Sequence, residues 1–317
     1  MTGQAVKPSA PINKQSFGYR LKKDFYRNKF KYLIILPVLI YLAIFCYKPM
    51  YGLVIAFKEY RPNLGIAGSP WVGFKQFTNF FKDPYFFRLI RNTFSISLLS
   101  LVFCFPAPII LALFINEIRN NVFKRTVQTI TYMPYFISMV VACSLVKTYT
   151  QQNGLVSQIV MAFGGDAVNW LNKSQYFYPI YILSELWQTV GWNSIIYLAA
   201  LTGIDQEQYE AARIDGASRM QQLWSITLPN LVPTIMILLI LRMGGILNVG
   251  FEKIILLYNE GIYDVADVIS SYVYRRGIIN ASYSYGAAIG LFNSAVNIVF
   301  LLVSNWISTR YTESGLF

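Results

Sequence analysis

The chain has 317 residues, 55% of them hydrophobic and 13% charged, with a mean hydropathy of +0.42 and a net charge of +12. Those values describe an integral membrane protein rather than a soluble domain. The absence of histidine excludes histidine-based catalysis and histidine metal sites, and no nucleophile–base or metal constellation marks an enzyme. The three cysteines, Cys46, Cys104 and Cys143, lie in apolar runs without metal-ligand spacing. An odd count rules out a complete disulfide set, so they read as buried free thiols acting as small hydrophobes.

The first 31 residues are polar and carry eight of the 27 basic side chains. No basic-aromatic RNA motif accompanies them, so the surplus charge reads as a cytoplasmic anchor beside anionic lipid, with no nucleic-acid partner. Residues 32–91 contain a first span, about 32–57, with Pro37 inside it and Lys48-Pro49 at its outer end. An aromatic-rich segment follows, which suits either the membrane–water interface or a packed outer loop. Further spans are expected at about 92–116, 126–149, 176–204, 230–250 and 285–308, with a tail at 309–317. Each has about 20 residues or more, enough to cross ~30 Å of hydrocarbon at 1.5 Å per residue. Six spans put both termini on one side, and the basic tail places that side in the cytoplasm. Loop charge alone decides little: 14 basic residues fall in inner segments and 11 in outer ones.

The segment between the fourth and fifth spans, 204–229, stands apart as a polar-to-amphipathic island. Asp205 can cap a first helix, with Glu207 and Glu210 near its positive end. Ala211, Ala212 and Ala217 are small and helix-favouring. Gly216 suits a sharp turn, and Pro229 suits the start of a new helix. The expectation is a helix, a glycine turn and a second helix, with small residues that let another protein's surface come close.

Glu210-Ala211-Ala212, Asp215-Gly216-Ala217 and Ile226-Thr227-Leu228-Pro229 resemble the EAA loop of ABC importer permeases. The resemblance implies that Glu210, Ala211, Ala212, Asp215, Gly216, Ala217, Ile226, Leu228 and Pro229 couple the chain to a cytoplasmic ATPase. Residues 79–93, 250–274 and 285–292 are similar to the polysaccharide and aldouronate oligosaccharide branch of the maltose-type family. Residues 92–308 would then be a five-helix permease core of an all-α, type I importer. The implied partners are two ATPase subunits carrying ATP and Mg²⁺, a second and different permease chain, an extracellular solute-binding protein and a carbohydrate. No P-loop sequence occurs, so ATP hydrolysis belongs to another subunit and no cofactor is expected on this chain.

Residues 184–193 place Glu185, Trp187, Gln188, Trp192 and Asn193 within one span, with Glu185, Gln188 and Trp192 on one helical face. Such residues suit a sugar pathway, and equally suit hydrogen bonding and aromatic packing between helices. Arg242 in the fifth span sits at a depth similar to that of Glu185, so the two charges are expected to meet or to share a polar cavity. Asn248 is a further pathway candidate. The competing functions are an amino-acid or peptide permease sharing the same coupling loop, an ATP-independent carrier or channel, and a receptor without transport. The absence of a visible internal repeat weighs against a secondary carrier.

Overall fold

A computed structural model describes residues 24–312 and Gly315. Most of the basic tail read over 1–31, and the end of the 309–317 tail, lie outside the described residues. The described residues fall into two units, one ending at Val54 and the other beginning at Ile55. They are helical throughout, with one isolated antiparallel bridge between Lys58 and Trp71.

Helix α1, Lys29–Phe57, runs beyond the expected end at Lys48-Pro49. It passes through a π-turn, Leu42–Tyr47, a few residues after Pro37, and finishes as a 3-10 helix from Tyr51. Proline at position 49 falls at the start of a helical turn, where its missing N–H costs little. No side chain of Lys29–Tyr47 is buried. Cys46 is therefore exposed, unlike the buried thiols of Cys104 and Cys143.

The aromatic segment after α1 is a packed layer. Phe57 stacks on Trp71 at 5.7 Å, and Phe80 of α2, Lys75–Phe81, packs edge-on against Phe86 and Phe292. Helix α3, Phe86–Glu117, is inside-out relative to a soluble helix. Its inner stripe is Leu89, Asn92, Thr93, Ile96, Ser97, Ser100 and Cys104, whereas Leu98, Val102 and Phe103 are exposed. A span faces lipid with apolar residues and keeps its polar groups for protein partners.

The third expected span is not straight. Helix α4, Asn121–Phe136, is bent by 98° against the segment Met139–Ala162, which opens with α5, Met139–Thr150. Pro134 opens the 3-10 turn that ends α4, and Ser138 caps α5 by accepting from Val141 N. The carbonyl of Ile137, freed by the break, accepts from Gln188 Nε2 at 3.2 Å. Helix α6, Leu155–Ala162, completes this outer region.

Helix α7, Ser174–Thr202, is the central strut. Its 29 residues are long enough for the fourth expected span, but it carries Glu185 and Gln188 and is not among the described helices that are both long and apolar enough to cross a membrane. It tolerates those groups because α3, α4, α5 and the later span pack around it. Gly191 permits the closest approach, since a Cβ there would lie 2.0 Å from the Thr131 carbonyl oxygen of α4.

Helix α8, Gln206–Ile214, precedes α9, Arg219–Met243. The fifth span thus begins and ends earlier than expected from the sequence. Pro229 does not start a new helix. It lies within a continuous one, just after a π-turn, Leu223–Thr227, whose shifted bonding prepares the ladder for a residue without an N–H. Residues 244–250 are non-helical. Ser97 Oγ donates to the Ile246 carbonyl, and Asn297 Oδ1 accepts from Leu247 N at 3.0 Å. Irregular backbone persists at this depth because protein groups satisfy it.

The acid-bearing segment 251–284 is folded into short helices, among them α10, Phe251–Leu257, and α11, Ile269–Val273. Ile254, Leu257, Ile262, Val268 and Ile269 are fully buried. Asn92 Nδ2 donates to the carbonyls of Asp264 and Asp267, and Thr93 Oγ1 accepts from Ile269 N at 3.0 Å. The polar stripe of α3 therefore clamps this layer. Helix α12, Tyr283–Thr312, is the last span.

Candidate functional site

Two places stand out: a charged cavity among the spans and an exposed helical hairpin between α7 and α9.

The cavity, about 190 Å³, is lined by residues of α3, α7, α9, α10 and the 244–250 turn. It brings together Glu185, Gln188, Arg242 and Asn248 from the sequence-derived set. Glu185 and Arg242 meet as expected, with Arg242 Nη2 3.4 Å from Glu185 Oε1. Ser100 joins them: Arg242 Nη2 donates to Ser100 Oγ at 2.6 Å, and Ser100 Oγ donates to Glu185 Oε1 at 2.9 Å. Arg242 lies in the last turn of α9, where a cation also complements the helix dipole, rather than deep within the expected fifth span. Asn248 Oδ1 accepts from Asn293 and Asn297 of α12, which pins the turn that forms one wall.

Trp187, Trp192 and Asn193 do not line the cavity. They lie on exposed parts of α7, and Trp192 stacks on Tyr135 at 4.6 Å with Phe136 edge-on. The helical-face argument placed Trp192 with Glu185 and Gln188. The bend between α4 and α5 instead brings Tyr135 and Phe136 against the lower part of that face.

Sequence reasoning missed Lys253. It lines the cavity from α10, is 4% exposed, and donates from Nζ to the Tyr181 carbonyl at 2.9 Å while lying 4.4 Å from the Tyr181 ring. A lysine three residues beyond Gly250 in an outer segment reads as a solvated charge. Only the return of α10 against α5 and α7 buries it.

In the layer of short helices over 251–284, Asp267 is fully buried and accepts from Arg88 at 3.3 Å and Arg275 at 2.6 Å. Asp83 accepts from the hydroxyls of Tyr272 at 2.5 Å and Tyr285 at 2.6 Å. Burial opposes ionisation of Asp83, but the two hydroxyls, the Tyr85 N–H and Arg276 outweigh it and hold the carboxyl below its ordinary range.

The hairpin has the expected helix–glycine–helix form. Asp205 caps α8 by accepting from Glu207 N at 3.0 Å. Gly216 has φ of +78°, and Ala217 N donates to Ala212 O at 2.8 Å while Gly216 N donates to Arg213 O. This pair of bonds is a Schellman ending, in which the residue after the C-cap takes a left-handed conformation that only glycine adopts without strain. Ser218 and Gln221 form a capping box that starts α9. Tyr209 and Thr227 hydroxyls, 2.9 Å apart, tie the two arms together.

Glu210, Ala211, Asp215, Gly216 and Pro229 are exposed, whereas Ala212, Ala217, Ile226 and Leu228 are half-buried and hold the hairpin to the core. Ile214, Met220 and Trp224, which the sequence reading did not single out, are 87%, 62% and 66% exposed. Such exposed apolar side chains make the hairpin a candidate interaction surface.

Residues 105–313 match the family of binding-protein-dependent transport system inner membrane components. The chain is 43% identical to Protein LplB of Bacillus subtilis, covering 98% of both chains. It is 42% identical to the polygalacturonan/rhamnogalacturonan transport system permease protein YteP of the same organism, over 99% of this chain and 98% of that one. A chain of a bacterial alginate ABC transporter, solved in complex with an alginate pentasaccharide-bound periplasmic protein, superposes with a TM-score of 0.87 at 45% identity. The match covers 94% of this chain and 100% of that chain. The protein is therefore a multi-pass membrane permease, a non-catalytic transport subunit, and belongs to the family of binding-protein-dependent transport system inner membrane components.

Proposed function

We propose that this chain is one permease half of an ATP-driven importer that moves oligosaccharides from an extracellular solute-binding protein into the cytoplasm. The carrying observation is the continuity of α9. Its 25 residues reach about 37 Å at 1.5 Å per residue, from the hairpin at Arg219 to Arg242 at the cavity. A displacement of the hairpin is thus delivered to the cavity wall by one rigid element.

The six crossings of this reading are α1, α3, the bent α4–α5 pair, α7, α9 and α12, with both termini and the hairpin cytoplasmic. The hairpin docks on an ATPase subunit through Glu210, Ala211, Asp215, Gly216 and the exposed Ile214, Met220 and Trp224. Two ATPase subunits carry ATP and Mg²⁺, and this chain carries no cofactor. ATP binding closes the ATPase dimer, the hairpins follow, and the spans open the pathway outward; hydrolysis resets them. Glu185, Gln188, Arg242 and Asn248 line the pathway, and the exposed Trp187, Trp192 and Asn193 face a second, different permease chain. The cavity is smaller than the several hundred Å³ of a drug-sized site, so it takes one sugar ring, and the partner chain completes the path.

Carbohydrate as substrate class is supported by relatives named for polygalacturonan/rhamnogalacturonan and arabinooligosaccharides and by the alginate-bound transporter complex. Gly216→Val tests the coupling role. No atom lies within 4 Å of an added Cβ, so its cost comes from the positive φ, about 1–2 kcal/mol, and falls on the docking surface. Sugar-stimulated ATP hydrolysis by the assembled transporter should drop several-fold while the chain still inserts. Unchanged stimulation and unchanged ATPase co-purification would refute the assignment.

A further inference from the structure

We infer that the cavity recognises the carboxylate of an acidic sugar, with Lys253 supplying the charge that takes it. This deepens the importer reading and rests on it. The cavity holds one anion, Glu185, and two cations, Arg242 and Lys253. Glu185 is already engaged by Arg242 and Ser100. Lys253 belongs to no ion pair among the described residues. Its Nζ has a carbonyl and a ring face as recorded partners, both from Tyr181. An ammonium has three N–H donors, so one acceptor leaves capacity for a ligand.

Glu185 is the one anion in the lining and is already paired with Arg242, so Lys253 leaves the cavity with one surplus positive charge, at a position where any apolar residue would have been a cheaper choice. A carboxylate entering the cavity would neutralise the surplus charge. The same cavity is lined by Ser97, Gln188, Thr189 and Asn248, which suit sugar hydroxyls as donors and acceptors. A neutral sugar would use these groups and leave the cavity's surplus positive charge in place. A uronate residue uses both sets, so the geometry favours an acidic oligosaccharide over a neutral one. Lys253 differs in this from Arg242, which is spent on Glu185 and Ser100.

The test is equilibrium dialysis on the assembled transporter in detergent, without its solute-binding protein. The probes are a galacturonate trisaccharide and its carboxyl-reduced galactose counterpart. The wild type should hold the acidic probe at least tenfold more tightly. Lys253→Met should remove that preference by weakening the acidic probe alone, and Lys253→Arg should retain most of it. Equal affinity of the wild type for both probes, a result that needs no variant, overturns the proposal. So does a preference that survives Lys253→Met. The importer reading has its own readout, ATP-dependent sugar uptake into proteoliposomes by the complete system. Uptake without acidic preference in dialysis would leave that reading standing and remove the role of Lys253; absence of uptake of either sugar would remove both.

Discussion

Replacing Glu185 and Arg242 by glutamine, singly and together, measures whether their contact stabilises the spans. At 3.4 Å two unit charges attract by about 5 kcal/mol at an effective dielectric of 20. That figure is an upper bound, because the Arg242 side chain is 46% exposed and that of Glu185 19%. Fully exposed pairs couple by about 0.2–1 kcal/mol, and breaking a fully buried pair costs about 3–5 kcal/mol. The geometry lies between these limits, so a coupling energy of about 1–3 kcal/mol is expected. The two single variants should not be equivalent. Arg242→Gln leaves the less exposed group, the Glu185 carboxylate, with the Ser100 hydroxyl as its recorded side-chain partner, whereas Glu185→Gln leaves an arginine that can still reach Ser100 and water. Arg242→Gln should therefore be the more damaging, by about 1 kcal/mol. The assay is apparent unfolding free energy from detergent titration of the reconstituted transporter, compared across the four proteins. Additivity within about 0.5 kcal/mol would refute the reasoning.

Orientation is checked by cysteine labelling in a background lacking Cys46, Cys104 and Cys143: Gln208→Cys should react with an impermeant reagent from the cytoplasmic side, and Gln175→Cys from the outside. Reaction of both from one side would reject the six-crossing arrangement. The aromatic layer should weaken in acid through Asp83. A carboxyl held below its unfolded value of about 3.9 contributes stability that is present above that pH and lost as pH falls through the folded value. The stability advantage of wild type over Asp83→Asn should hence be flat from about pH 5 to 7 and shrink below about pH 4. An advantage that is unchanged down to pH 3 would show that Asp83 is not the titrating group.

The sequence by itself determined the long apolar runs, the hairpin and the meeting of two charges. Each rests on a local or nearly local signal. Hydrophobic length marks a span, Asp205 and Gly216 punctuate a helix pair, and an ionised group within an apolar run demands a partner. The helix–turn–helix at 204–229 was legible because caps and a positive φ are chosen by residue type. Tertiary structure decided the rest. The bend between α4 and α5 depends on Gln188, 51 positions away, accepting the role of donor to the Ile137 carbonyl. The early end of α9 depends on Ser97 of α3 and on Asn293 and Asn297 of α12, which bond to the irregular turn. Trp192 was assigned to the pathway by helical phase, but phase cannot say which neighbour covers which face, and Tyr135 covers it. Lys253 shows the limit most plainly. Its burial comes from α10 folding back on Tyr181, 72 positions earlier, and no pattern in the surrounding residues encodes that contact. Period and punctuation are properties of neighbours in the chain, whereas the charge balance of a cavity is set by elements that meet only after packing.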